Sequence, residues 1–305
     1  MRPDHDVRLA AFDWLAKQVD LHGDVLEWSL LLRGFAHGDH QIRLIGPQGI
    51  FKPRSMELPL TIYTSPNSPY DDSFGPDGLL RYRYRGTDPQ HRDNVGLREA
   101  MSSRVPLAYF HGVISGKYLA VWPVFIVADD PKGLSFAVAV DDAKLSLELL
   151  KGHEATGKIE EYDSPSRRRY VTTLVRQRLH QRTFREQVLR AYREQCALCR
   201  LRHAELLDAA HIIPDVDERG EPEVSNGLSL CKLHHAAFDA SFLAVTPDYR
   251  IEVQPRILEE SDGPMLLHGL QELHRQRIVL PRGRGMKPDP ARLEERYERF
   301  LAAAG

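Results

Sequence analysis

Cys196-Ala-Leu-Cys199, Asp208-Ala-Ala-His211-Ile-Ile-Pro214 and Asn226-Gly-Leu-Ser-Leu-Cys231-Lys-Leu-His234-His235-Ala-Ala-Phe-Asp239 stand together within 44 residues. Cys196 and Cys199 are three apart, as are Cys231 and His234, so each pair can grip one ion from a tight turn. Four sulfur and nitrogen ligands complete the tetrahedron of a structural zinc site. All three cysteines fall in this constellation, which leaves none for a disulfide and points to a reducing, cytoplasmic setting. The segment between the hooks is short and polar. Zinc is therefore expected to substitute for a core there, as it contributes about 10–16 kcal/mol in zinc-finger peptides.

A second set of residues lies inside this frame. Asp208 to Pro214 reads as a short strand ending at proline, which puts His211 near the strand end. An imidazole there can take a proton from water near neutral pH, as a general base must. A polar loop over 216–225 follows, and then a helix carrying His235 and Asp239 at i and i+4, on one face. A neutral imidazole and a carboxylate so spaced can hold one divalent cation against a phosphate. The expected chemistry is phosphodiester hydrolysis.

These runs resemble the HNH nucleases, in particular the subgroup with Ala-His-Ile-x-Pro, Asn-Gly-Leu-x-Leu and His-x-x-Phe-Asp signatures. The resemblance implies a ββα-metal fold with His211 as general base, Asn226 orienting it or joining the metal, and His235 binding the metal. Many members carry a further ligand just before the first histidine, where this chain has Ala210. Asp239 is the candidate replacement, with Asp208 second. The catalytic ion implied is Mg²⁺ or Mn²⁺.

At 305 residues the chain has room for two domains. Its hydrophobic content of 42% and charged content of 28% describe an ordinary globular protein. No apolar stretch reaches spanning length and no signal-peptide pattern opens the chain, so no membrane partner is expected. The net charge of −2 gives no hint of nucleic acid, but its distribution does. From Arg167 to Arg202 there are eleven arginines against Glu186 and Glu194. Within this run Val171, Leu174, Val175, Phe184, Val188 and Leu189 have helical spacing. A solvated face normally mixes charge signs, so a nearly pure basic helix reads as a phosphate-binding connector, with Arg167, Arg168, Arg169, Arg176, Arg178 and Arg182 on the DNA backbone.

A composition shift around 151–166 sets expected boundaries: an N-terminal domain over 1–155, the basic helical connector over 156–192, and the nuclease domain with a helical tail over 193–305. The N-terminal domain opens with a helix near Val7–Val19. Strands are then predicted at Gln41–Ile45, Leu60–Thr64, Leu79–Arg85, Pro106–His111, Tyr118–Ala128 and Leu134–Val140. The fold class is α+β, with a curved sheet or barrel followed by the zinc-braced domain.

Two stretches of this half, Tyr70-Asp71-Asp72 leading to Arg81-Tyr82-Arg83-Tyr84-Arg85-Gly86, and Asn94 through His111-Gly112 and Tyr118 to Asp129-Asp130, resemble the SRA domain, a PUA-like reader of modified bases. The resemblance covers roughly 46–130 and implies that one cytosine is flipped out of the duplex. Asp72, or Asp71, would accept from the exocyclic amine between Tyr70 and Tyr84, with Tyr82 as the alternative wall. The alternating Arg-Tyr run also suits a half-buried strand with one solvated face.

An SRA-like reader joined to an HNH nuclease resembles the modification-dependent restriction endonucleases. The partner implied is double-stranded DNA carrying 5-methylcytosine or 5-hydroxymethylcytosine, and a double-strand cut implies a homodimer. The tail from Leu266, with a final helix over Pro290–Ala304, would cover the nuclease domain or make the dimer contact, and His268 and His274 read as packing residues. Two rival readings remain: an HNH nuclease reading phosphorothioate or unmodified DNA, and a non-catalytic DNA-binding regulator with zinc as scaffold. The regulator would need only the four zinc ligands, not His211, Asn226, His235 and Asp239 as well.

Overall fold

The computed structural model describes residues 3–66, 75, 77–141, 165–215, 217, 219–283 and 285–304. The chain divides into two compact units, Met1–Arg182 and Thr183–Gly305.

The first unit begins with α1 (Pro3–His22), β1 (Val25–Glu27), α2 (Trp28–Arg33) and the β2–β3 hairpin (Phe35–His37, His40–Ile42). It continues through β4 (Ile50–Phe51), β5 (Thr61–Thr64), β6 (Leu80–Arg83), α3 (Arg92–Ser102), β7 (Leu107–Ile114), β8 (Lys117–Asp130) and β9 (Ser135–Val140). A long helix, α4 (Pro165–Ala191), follows, and the division between the units falls inside it. Each strand and helix expected in this half is present, with ends shifted by a few residues.

Seven strands form one mixed sheet, in the order β4-β5-β7-β8-β9-β6 with β1 on β8, curled as a half-barrel. Only the β5–β7 pairing is parallel, Thr61 facing Ala108 and Thr64 facing His111. Strand alternation gives the sheet two buried faces. Leu107 and Tyr109 of β7 enter one core with Tyr82, Tyr84 and Phe136, while Ala108 and Phe110 enter the other with Phe12 and Leu15 of α1. Burial of both faces explains why β7 and β9 read as continuous apolar runs. Arg8 of α1 is buried on the second face, donating to the carbonyls of Pro106 (2.8 Å) and Pro59 (2.7 Å).

The second unit holds the end of α4, β10 (Leu207–His211), β11 (Gly227–Cys231), α5 (Lys232–Asp239), β12 (Leu243–Val245), β13 (Ile251–Val253), α6 (Pro255–Glu259), α7 (Pro264–Gly269) and α8 (Pro290–Ala304). Two expectations need correcting here. The zinc segment does not lack a core: Cys196, Ala197, Leu207, Leu228, Leu230 and Phe238 are buried in one apolar cluster with Val188 of α4 and Leu293 of α8. Leu174 is not on the buried stripe of α4 but 46% exposed; Thr172 and Leu179, seven residues or two turns apart, point inward instead. The tail covers its own unit, through buried Leu270, Leu273, Leu293 and Phe300. Among the described residues no helix is long and apolar enough to cross a membrane.

Candidate active site and zinc centre

The two cysteine hooks meet. Ligand atoms of Cys196, Cys199, Cys231 and His234 all lie within 4.8 Å of one another. His234 Nδ1 is 3.4 Å from Cys196 Sγ and 3.1 Å from Cys231 Sγ, and the sulfurs of Cys199 and Cys231 are 4.0 Å apart. A tetrahedron with zinc–sulfur bonds near 2.3 Å has edges of about 3.8 Å, so this donor set fits zinc. His234 Nε2 lies 2.7 Å from the Gly269 carbonyl. Donation there leaves Nδ1 with its lone pair toward the sulfurs, the outer-shell arrangement that zinc-binding histidines use. Crowding also splits the thiols. Hydrogen bonding with Cys199 pulls Cys196 far below the ordinary thiol range, and the same contact pushes Cys199 far above it. A divalent ion would relieve that competition by taking the sulfurs as thiolates.

On this frame β10 and β11 pair antiparallel, with Leu207 opposite Cys231 and His211 opposite Gly227. The chain then turns directly into α5, giving a ββα unit. The His211 ring stacks on Phe184 of α4, centroids 4.0 Å apart at 18°. Gly227 makes this possible: a Cβ there would meet Val188 Cγ2 at 2.5 Å and the Phe184 ring at 3.0 Å. Nε2 of His211 is buried and has no hydrogen-bond partner among the described residues. Burial lowers the His211 pKa; the charges of Asp215 and Asp239 oppose the shift and His235 adds to it.

Asn226 ends a short 3-10 turn (Val224–Asn226) and is fully buried. Its Oδ1 accepts from the Ile213 N–H at 2.9 Å, and its Nδ2 donates to the carbonyls of Ile213 and Glu221, both at 3.1 Å. Its backbone carbonyl accepts from Ile212 N at 2.9 Å. Side chain and backbone of Asn226 together thus brace the two residues after His211, which fits orientation better than metal ligation.

His235 and Asp239 lie one turn apart on α5, Nε2 to Oδ2 3.3 Å. On the other side His235 Nδ1 is 3.8 Å from Asp208, so both candidate carboxylates flank one imidazole. Asp208 also pairs with Lys232 at 3.1 Å, and Asp239 lies 3.7 Å from Arg296 of α8. Arg296 packs over the Phe238 ring and donates to the Phe238 carbonyl at 2.9 Å, capping the end of α5. Among the described residues the zinc ligands alone form a tight cluster of three or more donors. A magnesium or manganese ion held by His235 and Asp239 would keep most of its positions for water and phosphate, which suits Mg²⁺.

Sequence reading missed Phe184 as the platform of His211, Asp215 as the larger of the charges opposing its pKa shift, and Arg296. Phe184 and Arg296 come from helices remote in sequence and carry no local motif; Asp215 directly follows the His-Ile-Ile-Pro run and could have been noted.

In the N-terminal unit Tyr70, Asp71 and Asp72 lie outside the described residues. Tyr82 and Tyr84 are 4% and 2% exposed in the curled core. The Tyr84 ring packs on Phe136, centroids 4.6 Å apart, and its hydroxyl donates to Asp129, which Arg98 Nε also contacts at 2.7 Å. Of the connector arginines, Arg176 and Arg178 are exposed, whereas Arg182 pairs with Asp24 at 3.0 Å. The side chains of Arg167, Arg168 and Arg169 lie outside the described residues.

The ββα unit thus carries a Cys3His set that fits zinc, with His211 at the end of a strand and His235 on the following helix. Residues 196–246 match the family model for HNH endonucleases, and the chain carries an HNH endonuclease domain there. No curated protein matches the chain. Solved structures similar to it include the following two. A modification-dependent TagI restriction endonuclease shares 16% identity, over 93% of this chain and 89% of that one, with a TM-score of 0.30. The type IV phosphorothioation-dependent restriction endonuclease ScoMcrA shares 14% over 79% of this chain, with a TM-score of 0.22, and this chain spans 50% of its length.

Proposed function

We propose that this chain is a divalent-metal-dependent DNA endonuclease of the restriction type that flips out a modified cytosine and cuts nearby. The observation that carries the nuclease reading is His211, packed under Phe184 beside the His235–Asp239 pair in an HNH domain. His211, kept neutral by burial, takes a proton from water as the water oxygen forms its bond to phosphorus. The bridging P–O bond breaks, and its electron pair leaves with the deoxyribose-side oxygen, which is protonated from solvent. Asn226 holds the Ile212–Ile213 backbone and through it the His211 ring. Bound Mg²⁺ or Mn²⁺ would offset the negative charge growing on the phosphate and leaving oxygen.

The modified-cytosine reading, 5-methylcytosine or 5-hydroxymethylcytosine, is supported by the SRA resemblance over 46–130. It is supported too by a polar cluster in which buried Tyr84, packed on Phe136, meets half-buried Asp129 and Arg98. Tyr70, Asp72 and Tyr84 are proposed as the modified-base residues, with Asp71 and Tyr82 as alternatives. Arg176 and Arg178 are proposed to hold the DNA backbone, with Arg167, Arg168 and Arg169. One active site breaks one strand, so a double-strand cut calls for two copies of the chain. The test is His211→Ala in a cleavage assay with added Mg²⁺ or Mn²⁺. Cleavage is expected to fall by roughly 10²–10⁴-fold with DNA binding retained. Undiminished cutting by this variant would remove the general-base role.

A further inference from the structure

We infer that the N-terminal unit carries a DNA-backbone groove between the β2–β3 hairpin and the segment that follows β4. This rests on the reading of the chain as a DNA nuclease and names a contact which that reading does not contain. The groove encloses about 860 Å³. Buried Ile42 and Pro53 and half-buried Phe51 form its floor, and Arg43, Lys52 and Arg54 stand exposed on its rim. Among the described residues none of these three cations has an ion-pair partner, and Asp39 is the one acid in the lining. The surrounding sequence agrees: from Arg33 to Arg54 there are four Lys or Arg against that one acid, in a chain whose net charge is −2.

Both walls are fixed before any ligand arrives. Gly34, at φ +63°, lets the hairpin close onto α2, because a Cβ there would lie 1.9 Å from the Ile42 carbonyl oxygen. Gln41 Nε2 donates to the Arg33 carbonyl at 2.6 Å, and Leu44 N to that of Leu31 at 3.0 Å. On the other wall Leu60 N donates to Phe51 O at 3.0 Å, and Met56 N closes a turn on Pro53 O at 3.1 Å. The cations are flexible, but the backbone presenting them is preorganised, which lowers the cost of ordering on binding. Unpaired cations over an apolar floor suit a sugar–phosphate strand, with phosphates at the rim and deoxyribose against Ile42, Phe51 and Pro53. An acidic protein segment would meet the same charges, and the experiment separates the two.

Binding of the full-length chain to a duplex is measured across a salt series without added Mg²⁺ or Mn²⁺, for wild type and for Arg43→Gln/Lys52→Gln/Arg54→Gln. Lys17→Gln/Arg104→Gln/Lys132→Gln serves as a control with the same charge change on exposed positions of the same unit. Three lost phosphate contacts should flatten the slope of log K against log salt by about 2.7. The loss should be equal on modified and unmodified DNA, since backbone contacts position without specifying. An unchanged slope, or the same change in the control triple, overturns the groove and leaves an acidic protein as its occupant. Wild type that cleaves while the groove triple keeps its slope defeats this inference alone. A flattened slope in a protein that cuts nothing defeats the nuclease reading alone.

Discussion

His211 owes its position to a neighbour with no side chain. Gly227 faces it across the β10–β11 pair and leaves room for Phe184 to lie flat on the imidazole. The resulting burial is the largest cause of its lowered pKa, so the base stays neutral to lower pH than a free imidazole. The sign follows directly: cleavage is lost on acidification only when His211 protonates. The acid limb of kcat/KM should therefore fall below the ordinary imidazole value of about 6.5. Asp215 pulls the other way, so Asp215→Asn should move the limb lower still; a limb that moves up would contradict the assignment. Asn226 is structural in the same sense. Asn226→Ala leaves the buried N–H and carbonyl of Ile213 without their partner, a loss of about 2–4 kcal/mol that a denaturant midpoint would register. His211 and the zinc ligands were legible in the sequence because chelation and strand position are local. The bracing role of Asn226 was not, since its partners Ile213 and Glu221 are set by the path of the intervening loop.

At the scale of elements, the zinc hooks, the hairpin and α5 form one mechanical piece. Cys231 ends β11 and directly precedes α5, so a zinc ion held by Cys231 and His234 would also set the angle at which His235 and Asp239 leave the sheet. Arg296 of α8 then ties down the far end of α5. Helix α8 was legible to its exact ends from its apolar spacing, but what it covers was not, because a tail's docking surface depends on tertiary contacts. The same limit misassigned Leu174, whose neighbours suggested a stripe that the packed helix turns to solvent. Zinc removal by a strong chelator, or Cys199→Ser, should unfold the second unit selectively. The loss should stay below the roughly 10 kcal/mol seen in coreless zinc fingers, because this unit has its own apolar cluster. The readout is built in: Trp14, Trp28 and Trp122 all lie in the first unit. Tryptophan fluorescence should keep its transition while calorimetry shows a second one moving down. A shift of both together would mean that the zinc supports more than its own unit.

Taken whole, the chain joins a half-barrel with a buried aromatic core to an HNH endonuclease domain, and the division falls inside a basic helix. The positions of the strands were readable from alternation and turn signals and the room for two domains from length, whereas the pairing order of the sheet was not. The proposed reader specificity rests on resemblance, because a base pocket is a matter of side-chain convergence and not of spacing. The decisive measurement is cleavage of paired duplexes that differ only in cytosine modification, with Mg²⁺ or Mn²⁺ restored after loosely bound metal has been stripped. Cutting confined to the duplex with 5-methylcytosine or 5-hydroxymethylcytosine is the predicted result. Equal cutting of modified and unmodified DNA would contradict the reader, and no metal-dependent cutting of either would contradict the nuclease.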